Sequence, residues 1–175
     1  MSIDAGPRTG HPYFMHDAIL GQPEAFARVI DRVEASADAI TERLAGAARV
    51  FLVGIGTSYH AAQIGEYLMR AYAGGVPVQA IHAFEFALYG PPIGPRDAVV
   101  GVSHRGTKRY TGAALARARE AGCATALITG EAGTGTVPEV DQILRTVPQE
   151  RSSAHTISYT GSVAALAALA DRVGG

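Results

Sequence analysis

The chain has 175 residues, enough for one domain with a sizeable core but short for two. With 47% hydrophobic and 18% charged residues, its composition is that of a globular protein, which excludes a disordered chain. The net charge of −1 argues against a basic nucleic-acid groove or a polybasic membrane patch, so we predict neither a nucleic-acid nor a membrane partner.

Residues 1–12 are predicted to be a flexible lead, and residues 13–175 a single domain. The lead has no apolar run of the signal-peptide type, and no stretch approaches the roughly 20 apolar residues of a membrane span. We therefore expect a cytoplasmic protein. Cys123 is the only cysteine and is predicted to be a buried, inert thiol.

The domain is predicted to begin with helices. A short helical stretch from Phe14 is interrupted at Gly21. Apolar side chains then recur at helical spacing over 23–34, with Pro23 in the first turn, where proline loses no hydrogen bond. A further helix is predicted over 36–46.

Beyond residue 48, short apolar runs alternate with helical segments. The runs predict buried parallel strands at 49–53, 76–81, 98–102, 124–128 and 142–147. The longer helices are predicted over 59–73, 108–121 and 160–173, and a flexible loop over 130–135. This alternation predicts an α/β fold, a five-stranded doubly wound parallel sheet flanked by helices.

Ligands of such sheets bind beyond the carboxyl ends of the strands, where this chain has three polar turns. The first turn is Gly54–Ser58, which places the hydroxyls of Thr57 and Ser58 at the start of a helix. Free backbone N–H groups and the helix dipole favour an anion there. A helix N-cap without a ligand is the alternative.

The second turn, Ser103–Thr107, repeats this design after the third strand. Arg105 and Lys108 add positive charge, so both turns are predicted to converge on one phosphate. A solvated basic helix start is the alternative, and Arg109 is expected to face solvent.

The third turn runs from Gln149 to Thr156. Aldose–ketose isomerisation moves a proton between adjacent carbons, and Glu150 is a candidate base with His155 as acid or sugar contact. The alternatives are an ion pair for Glu150 and a capping or interface role for His155. Glu85 is a further candidate base and His60 a further candidate acid.

Five segments occur in the order and spacing of the SIS (sugar isomerase) family. The second, Ile-Gly-Thr-Ser-Tyr-His-Ala, is similar to the family's Cys-Gly-Thr-Ser-Tyr-His-Ala. The segments are 13–23, 55–61, 83–86, 103–111 and 150–160. The chain most closely resembles the first of the two SIS halves in the isomerase part of glutamine–fructose-6-phosphate aminotransferases, the glucosamine-6-phosphate synthases.

The resemblance implies the SIS fold, Rossmann-like and flavodoxin-like, and a sugar phosphate as ligand, such as fructose 6-phosphate, glucose 6-phosphate or glucosamine 6-phosphate. Neither a cofactor nor a metal ion is expected. The predicted phosphate and sugar contacts are Gly56, Thr57, Ser58, Ser103, His104, Arg105, Gly106, Thr107, Lys108, Ser153 and Ala154. The predicted acid–base candidates are Glu150, His155, Glu85 and His60.

The chain departs from the family at two motifs. His104 and Arg105 replace Gln-Ser in the phosphate loop, where Thr107 and Lys108 replace Glu-Thr. The last motif lacks its typical lysine. Phosphate binding is compatible with these changes, but the substrate of the synthases does not follow from them.

Three functions remain open from the sequence. The first is a phosphosugar isomerase or an aminotransferase-type isomerase. The second is a non-catalytic sugar-phosphate sensor, and the third a binding-only half of a two-SIS enzyme. A homo-oligomer or pairing with a second SIS half is predicted, with the helix over 160–173 and the N-terminal helices as the contact.

Overall fold

The structure, a computed structural model, describes residue 6, residues 8–132 and residues 139–175. This part of the chain forms seven helices and five strands. In chain order they are α1 (Phe14–Leu20), α2 (Gln22–Ser36), α3 (Asp38–Ala45), β1 (Arg49–Gly54), α4 (Thr57–Tyr72), β2 (Val78–His82), α5 (Ala83–Tyr89), β3 (Asp97–Val102), α6 (Arg109–Glu120), β4 (Ala124–Thr129), β5 (Gln142–Arg145) and α7 (Ile157–Gly174).

The five strands form one sheet in the order β2-β1-β3-β4-β5, and every neighbouring pair is parallel. The predicted doubly wound sheet is therefore confirmed. The chain leaves β1 toward β2 on one side and later returns to β3 on the other. This reversal creates a crevice at the carboxyl ends of β1 and β3, the usual ligand position in such sheets.

Side chains alternate between the two faces of the sheet, as the period of a strand requires. In β1, Leu52 packs into the core beneath α2, α3, α4 and α7. Its neighbours Phe51 and Val53 pack on the opposite face with residues of α5 and α6. Because both faces are covered, the inner strands β3 and β4 are buried along their whole length.

The outer edge of β2 is covered by a pair of side chains from α4. The Ala80 amide donates to Glu66 Oε2 at 2.7 Å, and Arg70 donates to the Val78 carbonyl at 3.3 Å. Glu66 and Arg70 also form a salt bridge one helical turn apart. Backbone groups that would otherwise pair with another strand are thus satisfied within the protomer.

Several smaller predictions can be compared with the structure. Pro23 lies in the first turn of α2, as predicted. Cys123 is 4% exposed with Sγ 3.2 Å from the Gly94 carbonyl, and burial raises the pKa of its thiol, which confirms a buried thiol. Part of the predicted lead, residues 1–5 and 7, and residues 133–135 of the predicted loop lie outside the described residues.

The position of α7 corrects the prediction that this helix forms a subunit contact. It packs against α2 and α4 inside the protomer, and ten of its residues are buried. Gly65 of α4 permits this close packing, since a Cβ there would lie 2.9 Å from Leu166 Cδ1. A helix that is apolar on all sides belongs to a core, which is the physical reason for the correction.

Within the described residues, no helix combines the length and the apolar character that crossing a bilayer requires.

Leu166→Ala tests whether α7 belongs to the core of the protomer. The side chain is fully buried, so we expect the free energy of unfolding to fall by about 3 kcal/mol. Urea denaturation at two protein concentrations measures this. The loss should be the same at both, whereas a loss that grows with protein concentration would indicate a subunit contact. Leu88→Ala, at a side chain 53% exposed, is the control and should change stability by less than about 0.5 kcal/mol.

Candidate functional site

The turn after β1 depends on two glycines for different reasons. A Cβ at Gly54 would lie 2.6 Å from the Ser58 carbonyl group, so only glycine permits the chain to fold back this closely. Gly56 has φ 57° and ψ −130°, which L-residues avoid. The turn therefore starts α4 directly after the strand, with Thr57 and Ser58 in the first helical turn.

The turn after β3 places a buried hydroxyl at the sheet edge. Ser103 is 1% exposed, and its Oγ has no hydrogen-bond partner among the described residues. The Gly106 amide closes the turn by donating to the Ser103 carbonyl at 2.9 Å. Buried polar groups are normally paired, so an unpaired hydroxyl at the strand end is available to a ligand.

The same turn carries the positive charge of the site. Arg105 and Lys108 are both exposed, and neither forms a salt bridge with any residue in the described part of the chain. Lys108 is also the N-cap residue of α6 and makes no capping hydrogen bond with its side chain. Two cations at a helix N-terminus oppose the helix dipole, an arrangement that a bound anion would relieve.

The turns after β1 and β3 meet around one cavity of about 260 Å³. It contains eight of the predicted site residues, drawn from all three polar turns. Its lining consists of Ile55, Gly56, Thr57, Ser58, Ala61, Ser103, His104, Arg105, Lys108, His155, Ser158, Tyr159 and Ser162. The first and second turns, which are predicted to converge on one phosphate, therefore line the same cavity, and the third turn contributes His155.

One wall of the cavity was not predicted. Ser158, Tyr159 and Ser162 come from the first turns of α7, which the sequence had suggested as an interface helix. Ser158 and Ser162 lie four residues apart and so share one helical face. The available signal in the sequence was this pair of serines in a helix otherwise rich in alanine and leucine.

Seven predicted site residues lie outside the lining, and one of them, Glu150, is described below. Glu85 is on α5, after the edge strand β2, and lines a separate cavity with Tyr59 and Tyr89. His60 is exposed on α4, and neither cavity includes it. The remaining four lie in the second and third turns, next to residues that line the cavity. They are Gly106, Thr107, Ser153 and Ala154.

Glu150 lies beneath the cavity and caps α7. Its side chain is 1% exposed. Thr156 donates to the carboxylate from its amide at 2.8 and 3.0 Å and from Oγ1 at 2.6 Å. Ser158 donates from its amide at 3.0 Å and from Oγ at 2.6 Å.

These bonds determine the protonation of Glu150. Burial acts to raise the pKa of the carboxyl, but the hydrogen bonds from Ser158 and Thr156 outweigh it and lower the pKa. A buried carboxylate held by four donor groups is a poor proton acceptor. Glu150 as base stays a prediction, and the observed bonds show a carboxylate that orders the start of α7.

The same bonds fix the tautomer of His155, whose Nδ1 lies 3.2 Å from Ser158 Oγ. The single hydroxyl proton of Ser158 is donated to Glu150, so Ser158 can only accept from His155. Nδ1 therefore carries the proton, and Nε2 keeps its lone pair in the neutral ring. Among the four predicted acid–base residues, His155 is the one that lines the cavity.

His104 forms the other imidazole of the cavity. Its carbonyl accepts hydrogen bonds from Gly130 N and Thr129 Oγ1, which anchor it to the end of β4. Both ring nitrogens are buried, with no hydrogen-bond partner among the described residues. Burial lowers the pKa of His104, and the nearby His155 lowers it further, so the neutral ring is favoured at pH 7.

The described residues include no group of three histidine, cysteine or acidic side chains that could hold a metal ion. The lining instead offers hydroxyls, two imidazoles and two cations, which are groups that bind an oxyanion.

Comparison with known proteins identifies the family. The SIS domain matches residues 43–172, most of the chain. The chain belongs to the SIS domain family. The predicted resemblance is confirmed by the glutamine–fructose-6-phosphate aminotransferase of Aquifex aeolicus, which is 34% identical over 164 residues. That alignment covers 93% of this SIS domain but 28% of the relative, so the chain spans under a third of that protein.

Solved structures share the fold of this SIS domain. The C-terminal domain of glucosamine-fructose-6-phosphate aminotransferase from Francisella tularensis superposes with a TM-score of 0.83 at 23% identity, covering 97% of this chain and 50% of that one. An Escherichia coli CFT073 protein solved in complex with A5P superposes with a TM-score of 0.74 at 21% identity. That superposition covers 92% of this chain and 86% of the other chain.

Glu150→Gln tests the capping role of Glu150. In this variant, the NH₂ group of glutamine would face the N–H and O–H groups of Thr156 and Ser158, which are donors as well, so hydrogen bonds would be lost. We therefore expect the free energy of unfolding at pH 7 to fall by about 2 kcal/mol. Because the pKa of Glu150 is lower in the folded protein, its contribution is present above the ordinary value of 4.5 and is lost as pH falls through the folded pKa.

The difference in stability between wild type and Glu150→Gln, measured by urea denaturation from pH 3 to pH 7, should therefore shrink toward the acid end. Glu24→Gln is the matched control, since Glu24 is 81% exposed and pairs with Arg28 at the surface. A difference that is constant across the pH range would contradict the capping role.

Proposed function

We propose that this SIS domain binds a sugar phosphate in the cavity between the β1 and β3 turns and takes part in aldose–ketose isomerisation or related amino-sugar phosphate metabolism. One observation carries the proposal. Two hydroxyl-bearing turns from adjacent parallel strands meet at a buried Ser103 hydroxyl that has no partner among the described residues.

The phosphate is assigned to the β3 side of the cavity. Ser103 offers a buried hydroxyl, and the N-terminus of α4 brings Thr57 and Ser58 to the same space. Arg105 and Lys108 supply two positive charges, which match the charge of a phosphate dianion. Hydroxyls, helix N-termini and basic side chains are the groups with which proteins bind phosphate.

The sugar is assigned to the α7 side. Ser158, Tyr159 and Ser162 give this wall a polar character suited to sugar hydroxyls. His155 lies on the same side with Nε2 unprotonated in its neutral form, and is our candidate for moving a proton between adjacent carbons. Ser153 and Ala154, predicted as sugar contacts, do not line this wall.

The relatives support the chemical class of the ligand. The name of the Aquifex aeolicus relative includes fructose 6-phosphate, and the Escherichia coli CFT073 protein was solved with A5P bound. Fructose 6-phosphate, glucose 6-phosphate and glucosamine 6-phosphate are accordingly the ligands to test first. A binding-only half of a two-domain enzyme is the second candidate, because the match covers half of the Francisella tularensis domain.

The oligomeric state remains a prediction. With α7 inside the protomer, the N-terminal helices remain the candidate contacts. We favour α1, because none of its residues is buried and it exposes Met15, Ile19 and Leu20. We propose that a second copy, or a second SIS half, packs there.

A double variant, Ser58→Ala with Ser103→Ala, tests the convergence of the two turns. Both hydroxyls are proposed to contact one phosphate, so the rise in Tm caused by fructose 6-phosphate or glucose 6-phosphate should be lost. Thermal denaturation with and without ligand measures this. Ser36→Ala, at the exposed end of α2, is the control and should keep the full rise. An unchanged rise in the double variant would refute the site.

His155→Ala separates turnover from binding. If His155 transfers the proton, interconversion of fructose 6-phosphate and glucose 6-phosphate should fall by about 100-fold or more, while the ligand-induced rise in Tm remains. His60→Ala tests the other predicted acid and should retain full turnover, since His60 is exposed and outside the cavity. Binding without interconversion by the wild-type chain would favour the binding-only half.

A further inference from the structure

The charges that line the cavity all have the same sign. Arg105 and Lys108 are permanent cations, and His104 and His155 are either neutral or positive. Among the described residues, none of the lining side chains is a carboxylate. Within the described part of the chain, the cavity therefore has no charged group that could neutralise a cation on the ligand.

The nearest acidic group does not change this conclusion. Glu150 lies beneath the cavity, but its side chain is 1% exposed and its carboxylate already accepts from Thr156 and Ser158. Glu85 is in a different cavity. The hydroxyls of the α7 wall can accept a hydrogen bond from an ammonium group, but they do not cancel its charge.

From this arrangement we infer that the cavity selects phosphosugars whose sugar part is uncharged and discriminates against amino-sugar phosphates. The inference rests on the proposed function and narrows it. An ammonium group on the sugar would be held within a 260 Å³ cavity that also contains Arg105 and Lys108. Its repulsion from these two cations would be only partly screened there.

Three hexose phosphates separate the effect of charge from the effect of shape. Glucose 6-phosphate carries a hydroxyl at carbon 2, 2-deoxyglucose 6-phosphate carries hydrogen, and glucosamine 6-phosphate carries an ammonium group. If the amine merely fails to replace a hydroxyl contact, glucosamine 6-phosphate should bind like the deoxy compound. If the ammonium is repelled, it should bind more weakly than the deoxy compound.

Isothermal titration calorimetry of the full chain with these compounds, at pH 7 and low ionic strength, is the decisive experiment. We expect Kd for glucosamine 6-phosphate to exceed Kd for 2-deoxyglucose 6-phosphate by about tenfold. Equal values, or tighter binding of glucosamine 6-phosphate, would overturn the inference and leave the proposed function intact. Failure of all three compounds to bind would overturn both.

Charge-neutral variants identify the residues responsible. In Arg105→Gln and in Lys108→Gln, the ratio of the two Kd values should fall to about threefold, although both variants should bind every phosphate more weakly. Arg109→Gln removes a neighbouring cation that does not line the cavity and should leave the ratio unchanged. A ratio that falls equally in all three variants would mean a diffuse surface field, which contradicts selection within the cavity.

Discussion

The parallel pairing of β1 with β3 is the constraint on which the site depends. In the sheet, β2 lies on one side of β1 and β3 on the other. The turns after β1 and β3 therefore start side by side, at the carboxyl ends of the two strands, and lead away from each other. The helices that follow, α4 and α6, cover opposite faces of the sheet. A crevice opens where the two connections separate, and the polar groups at both strand ends face it.

The alternation of strands and helices could be predicted because buried parallel strands leave a strong pattern, a short apolar run ending in a polar turn. The role of α7 was harder to predict. Its alanines fit equally well against another subunit or against the helices of its own protomer. What decides between them is the close approach at Gly65, a contact between residues about 100 positions apart that no local pattern records.

The site was predictable where its residues follow strands and unpredictable where they come from α7. Thr57, Ser58 and Ser103 are placed by the sheet itself, so strand ends sufficed to find them. Ser158 and Ser162 reach the cavity only because α7 packs beside α4. The hydrogen bonds of Glu150 could not be predicted from the sequence, because its partners Thr156 and Ser158 come within reach only when the turn between them is folded.

The packing at Gly65 has a further consequence for how the cavity responds to a ligand. The close contact between Gly65 and Leu166 holds α4 against α7. These two helices form two walls of the cavity, so we expect the two walls to keep their relative position. The side chains of Arg105 and Lys108 differ from these helices, since both are exposed and form no salt bridge with the described residues. Ligands of different size should therefore be accommodated mainly by rotation of these two side chains, while α4 and α7 keep their positions.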